Sequence, residues 1–130
     1  MFLQIDAHNG LAVYDQIVRQ IKFAVADGAL AAGELIPSVR EMARELAINP
    51  NTVARAYRQL QDDGVLEAVR GTGLAVAGSA RRQCQHERTK LIRSRLRTVL
   101  EEAVSSGLEP QEIEQLFRAE SIAARRVKQK

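Results

Sequence analysis

One cysteine, Cys84, and two histidines, His8 and His86, are all that the 130 residues offer of these types. A single thiol excludes an intramolecular disulfide framework. Cys84 and His86 stand close together without a second pair of ligands, a spacing expected at a surface far more often than at a metal ion. Neither a metal nor a cofactor is expected. No nucleophile–base set and no close pair of carboxylates falls among pocket-forming residues, which argues against an enzyme. No apolar run approaches the length that spans a bilayer, and the first residues lack the basic-then-apolar layout of a signal peptide. The expected compartment is the cytoplasm. Length sets a further limit, since the chain can build one small core plus an appendage but not a second full-sized domain.

What is present has the balance of a soluble globular protein, 45% apolar and 27% charged. The net charge of +3 is small, and its distribution says more. Residues 1–80 are slightly acidic, residues 81–100 strongly basic, residues 101–124 strongly acidic, and the last six basic again.

The most informative stretch runs from Pro37 to Leu60 and reads as two short helices around a tight turn. Ser38 with Glu41 fits a capping box. Val39, Met42, Ala43 and Leu46 then recur as one apolar stripe. Ile48, Asn49 and Pro50 stop that helix and start another, because proline suits a first turn and breaks an interior one. In the second helix Val53, Ala56, Tyr57 and Leu60 make the buried face, and Asp62, Asp63 and Gly64 the exit. Asn51, Thr52, Arg55 and Arg58 are left pointing outward. Amide, hydroxyl and guanidinium groups on the first turns of an exposed helix match base edges in a major groove. A lone outward arginine is usually only solvated; this set, on the second helix of such a pair, points to DNA.

The flanks support that arrangement. Leu11, Tyr14, Ile17, Val18, Ile21 and Val25 form a helical stripe up to Ala26, a core helix ended by Asp27 and Gly28. Phe2, Leu3 and Ile5 suggest a brief extended piece, and Leu35 and Ile36 a short strand. Val65 to Gly78 reads as a hairpin turning at Arg70, Gly71, Thr72 and Gly73. Glycines there admit positive φ and bring the backbone close to whatever the turn touches. Beside them, Arg70 is placed for a minor groove or a phosphate, the bland reading being a solvated turn. The stripes of residues 11–77 are expected to close one core among themselves.

Gly78, Ser79 and Ala80 are the expected hinge into a helical region. Leu91 or Ile92, with Leu96, Val99, Leu100, Ala103 and Val104, mark one apolar face, ending at Ser105, Ser106 and Gly107. Glu109 and Pro110 start a last helix with Ile113, Leu116, Phe117, Ala124 and Val127 inward. Two helices with one stripe each cannot bury both alone, so the first domain or a second copy must cover them. The basic stretch from Arg81 to Arg97 has three readings of equal standing: pairing with Glu112, Glu114 and Glu120 across a dimer, touching flanking phosphates, or plain solvation.

Several of these segments together resemble one family. Leu11 to Val18, Gly33 to Glu41, Asn49 to Val53, and Asp63 to Glu67 with Arg70 to Gly73 look like the winged helix–turn–helix domain of GntR-type transcriptional regulators. The form of residues 49–57 and the short tail most resemble the YtrA subfamily. The resemblance implies a mostly helical fold with a small β-hairpin: a winged helix–turn–helix domain over residues 1–78 and a two-helix dimerisation tail over 79–130. It also places Arg40, the start of the second helix and the wing glycines among the usual DNA-contacting positions. Some members carry arginine where this chain has Pro50 and Ala54, so their base contacts do not transfer, and Arg55 becomes the better reader. Larger relatives with sensor or aminotransferase-like domains need more chain than follows residue 80.

The expected DNA-binding set is therefore Ser38, Arg40, Asn49, Asn51, Thr52, Arg55, Arg58, Arg70, Gly71, Thr72 and Gly73. The expected dimer contacts are Ile92, Leu96, Val99, Leu100, Ile113, Leu116 and Phe117. Together they describe a homodimeric, sequence-specific transcriptional regulator, a repressor on an inverted-repeat operator in double-stranded DNA. The alternative is a winged-helix protein-interaction module without DNA binding, which would more often expose apolar residues on that helix. The residues specify no small-molecule effector; its pocket would have to lie between domains or subunits.

Overall fold

A computed structural model describes the chain from Leu3 to Gln129. Its elements follow in the order α1 (Val13–Asp27), α2 (Val39–Leu46), α3 (Pro50–Asp62), β1 (Leu66–Val69), β2 (Gly73–Val76), α4 (Ala80–Ser105) and α5 (Pro110–Gln129). The strands pair antiparallel, with Leu66 opposite Val76 and Val69 opposite Gly73. This is the expected winged-helix arrangement with C-terminal helices. The residues form two compact units, one up to Thr89 and one from Lys90.

In the first unit the helical stripes close on one another. Ile17, Val18, Ile21 and Val25 of α1 join Met42 and Ala43 of α2 and Val53, Ala56, Tyr57 and Leu60 of α3 in a single core. Val65, Leu66 and Val76 from the hairpin join it. Gly28 ends α1 at φ 88° and Gly64 follows α3 at φ 77°, the left-handed geometry that glycine adopts without steric cost. The short strand expected at Leu35 and Ile36 is only a bridge, Leu35 to Ala75. Its backbone groups are nonetheless used, since the Ile36 N–H donates to Leu74 O and the Val76 N–H to Glu34 O.

From Leu3 onward the described residues ahead of α1 carry no strand, and Phe2, part of the expected extended piece, lies outside the described residues. Two glutamines one turn apart on α1 take the place of a neighbouring strand. The Gln20 amide accepts from the Gln4 N–H and donates to its carbonyl, and Gln16 does the same with Asp6. Gln16 is thereby buried with its hydrogen bonds made, which removes the cost of an unpaired amide.

One expectation fails. Residues 11–77 do not close the core by themselves, because Ala80 and Cys84 from the start of α4 are fully buried within it. Cys84 is thus a core residue and not the surface residue expected beside the exposed His86, and burial pushes its thiol up to about 11. The same turns of α4 satisfy carbonyls that helix ends leave unpaired. The Gln83 amide donates to Asp63 O at 2.6 Å and the Gln85 amide to Ala26 O at 3.1 Å.

Lys22 binds these pieces from inside. Its Nζ, almost wholly buried, donates to Asp63 Oδ2 at 2.7 Å and to Glu87 Oε1 at 2.8 Å. Burial opposes the ammonium charge, but the two carboxylates outweigh it and hold Lys22 above its ordinary value. Burial would likewise raise Asp63, yet the bonds from Lys22 and Gln59 keep that carboxyl below the usual range.

In the second unit the stripes stay open. Leu96, Val99, Leu100 and Ala103 of α4 and Ile113, Leu116, Phe117 and Ala124 of α5 line a groove of about 460 Å³. Val99, Leu116 and Phe117 are more than half exposed, at 59%, 52% and 56%, so the residues expected inward are uncovered here. Gly107, at φ 94°, makes the turn between the helices.

Candidate nucleic-acid interface

Two caps set the frame. The Ser38 Oγ accepts from the Glu41 N–H at 3.1 Å and the Glu41 carboxylate accepts from the Ser38 N–H, which is the expected capping box. The bond from the Ser38 N–H, and after it the Ser38 hydroxyl, hold the Glu41 carboxyl below its ordinary value. Between α2 and α3, Ala47 sits at φ 55°, a left-handed conformation that L side chains resist. Asn49 then caps α3, its Oδ1 accepting from the Asn51 N–H at 2.8 Å, and Pro50 occupies the first turn. The oxygens of Ser38 and Asn49 are therefore already engaged in building the turn.

The inner face of α3 anchors it. Val53, Ala56 and Leu60 are fully buried, and the Tyr57 hydroxyl donates to Pro37 O at 2.8 Å, tying α3 to the entrance of α2. Burial also pushes the Tyr57 hydroxyl pKa well up. On the opposite face Asn51, Arg55 and Arg58 are exposed, one turn apart in succession, while Thr52 is half-buried. Arg40 on α2 is exposed as well. At the hairpin tip Arg70, Gly71, Thr72 and Gly73 are all exposed. The Thr72 N–H closes the turn on Val69 O at 2.9 Å, and Gly71 and Gly73 take φ 77° and 133°.

Arg55 is not free in space. Its guanidinium lies over the ring of Tyr14 on α1, 3.7 Å from the centroid. Reasoning from sequence placed Tyr14 in a core stripe and missed this pairing, since nothing local relates two residues so far apart in the chain. The Lys22 cluster was equally hidden. Within the basic stretch, Arg81 folds back over Gly28, its guanidinium 3.3 Å from where a Cβ there would stand. No group of metal-ligating side chains occurs among the described residues, and no described helix is long and apolar enough to cross a membrane.

Known proteins match both the chain and this geometry. The gntR family of bacterial regulatory proteins matches residues 13–76, from the start of α1 to the end of β2. The HTH-type transcriptional repressor YtrA of Bacillus subtilis (strain 168) is 31% identical over 116 residues, 89% of each protein. The chain belongs to the gntR family. A transcriptional antiterminator of Listeria monocytogenes EGD-e has a similar structure, with a TM-score of 0.68 and 32% identity over 93% of this chain and 90% of that one. The DNA-binding domain of AraR, in complex with operator ORX1, resembles this family member over 59% of its length, 93% of that domain, with a TM-score of 0.50 and 25% identity. The chain is thus a transcriptional regulator of the winged helix–turn–helix type, and the exposed set on α2, α3 and the hairpin lies on the elements that give that fold its name.

Proposed function

We propose that this regulator acts as a homodimeric repressor, each copy reading one half of an inverted-repeat operator. Residues 1–78 carry the readout and residues 79–130 the association, with the first turns of α4 shared as packing. In this reading α3 enters the major groove, with Asn51 and Arg55 on base edges, Thr52 near a thymine methyl, and Arg58 on the backbone. Arg40 and the Asn49 N–H meet phosphates, with Ser38 holding the start of α2 beside them. Arg70, Gly71, Thr72 and Gly73 form a wing against the flanking backbone or minor groove. Ile92, Leu96, Val99, Leu100, Ile113, Leu116 and Phe117 form the dimer contact.

The observation that carries the reading is the division of α3 into a fully anchored inner face and an outer face that exposes the donors of Asn51, Arg55 and Arg58. A helix built to dock on protein would more often expose apolar side chains there. The repressor YtrA, similar over nearly the whole chain, supports the sign of regulation. The operator complex of the AraR domain supports duplex DNA as the partner. The test is titration of duplexes selected from a random pool. Arg55→Ala and Asn51→Ala should each cost about 1–3 kcal/mol at the preferred site and relax one base position. Arg70→Ala should weaken all duplexes alike and reduce the salt slope by about one unit. Unchanged base preference in folded Asn51→Ala and Arg55→Ala variants sinks the assignment of α3.

A further inference from the structure

The pairing of Arg55 with Tyr14 bears directly on readout. Tyr14 stands in the first turn of α1, partly buried and packed against the core, so the fold fixes where its ring lies. Arg55 meets that ring at 3.7 Å and has no hydrogen bond or ion pair to an acceptor among the described residues. Stacking of this kind uses the face of the guanidinium. Its five N–H donors lie in the plane and stay free for acceptors there. Guanine O6 and N7 present two acceptors at the spacing of that fork. A long arginine side chain otherwise samples many rotamers, and binding has to arrest them.

We propose that Tyr14, on a helix outside the helix–turn–helix pair, is a positioning residue for DNA readout. Its ring is a platform that presents the fork of Arg55 to a guanine edge. This rests on the reading of α3 as the groove helix. Arg55 remains on the ring when DNA binds, so the ring contributes to affinity and to discrimination at a single base pair.

The experiment compares full-length wild type, Tyr14→Phe, Tyr14→Leu, Arg55→Ala, Tyr14→Leu with Arg55→Ala, and Asn51→Ala. Each is titrated on the selected duplex, on its single-base variants and on an unrelated duplex, with thermal unfolding alongside. Tyr14→Phe keeps the ring and should bind as wild type does. Tyr14→Leu should lose about two- to fivefold at the selected site, the size of an exposed cation–π pair. That loss should narrow discrimination at the same base pair that Arg55→Ala relaxes, and it should vanish when Arg55 is already alanine. Tyr14→Met, also without a ring, repeats the arm in case leucine disturbs the core.

A weakening of all duplexes alike, additive with Arg55→Ala, would make Tyr14 a packing residue and overturn the proposal. Tighter binding by Tyr14→Leu would overturn it too, because the ring would then be competing with DNA for Arg55. Failure of the underlying reading looks different. Wild type without base preference, or Asn51→Ala with preference unchanged, rejects α3 as the reader whatever Tyr14 does, and the platform with it.

Discussion

Helices α3 and α5 are both amphipathic, yet they end in opposite circumstances. On α3, Val53, Ala56 and Leu60 are fully buried, whereas on α5 Leu116 and Phe117 are more than half exposed, at 52% and 56%. The first helix has α1, α2 and the hairpin to close against. The second has α4 as its one neighbour among the described residues of its unit, and two helices cannot hide two stripes from water. An apolar stripe states that something will cover it. What covers it depends on how many elements the unit supplies.

Breaking the open stripe should have the largest effect. Leu96→Glu with Phe117→Glu places charge in the groove of the second unit and should yield a monomer by sedimentation. Affinity for a paired site should fall about 10²- to 10⁴-fold, because the second half-site contact is no longer intramolecular. Single half-site binding and the unfolding of the first unit should stay as they are. A persistent dimer would mean that other surfaces join the copies.

The closed unit is broken by cutting in the wrong place. A chain ending at Thr89 should fold, remain monomeric and keep base preference on a half-site. A chain ending at Gly78 loses Ala80 and Cys84 from the core and uncovers the Lys22 cluster. That should cost about 3–5 kcal/mol, read as a much lower midpoint in urea. Equal midpoints for the two truncations would show that α4 merely rests on the domain.

Lys22→Met tests the same seam with one side chain. Asp63 and Glu87 are partly solvated, so the cost should be moderate, about 1–3 kcal/mol. Its pH dependence has a definite sign. Asp63 is held below its unfolded value, so its contribution is present above about pH 4 and disappears as pH falls through the folded value. Lys22 is held above 10.5, so its contribution is complete below that pH and disappears as pH rises through the folded value. Wild type should therefore lose stability below pH 4 more steeply than Lys22→Met. Parallel acid profiles would remove the pair from the account.

The smallest effect concerns the turn before α3. Ala47 at φ 55° bears left-handed strain of about 1–2 kcal/mol. Glycine would relieve it while adding about 0.5–1 kcal/mol of unfolded-chain freedom. Ala47→Gly should raise stability by about 0.5 kcal/mol and leave base preference unchanged. A lower melting temperature would show that the Ala47 methyl contributes packing that outweighs its strain.

Much of the first unit was legible because its signals are local. The capping box at Ser38 and Glu41, the start of α3 at Asn49 and Pro50, and the stripe of Val53, Ala56, Tyr57 and Leu60 each lie within a turn or two of helix. Period and cap chemistry decide such features without knowledge of the rest of the chain. The glycines of the hairpin turn are of the same kind. The start of α4 was harder to read. Its sequence is polar and basic, and only two small residues, Ala80 and Cys84, mark the side that packs.

What the amino-acid sequence determined by itself was the set of helices, the buried faces of α1, α2 and α3, and the outward chemistry of α3, because these follow from spacings of three and four residues. Tertiary structure decided which distant groups meet. It brought Tyr14 beneath Arg55, gathered Lys22 of α1, Asp63 just past α3 and Glu87 of α4, and enclosed Cys84. Those pairings depend on how α1, α3 and α4 lie against one another. That arrangement is set by the whole core at once, and no short stretch of chain contains it.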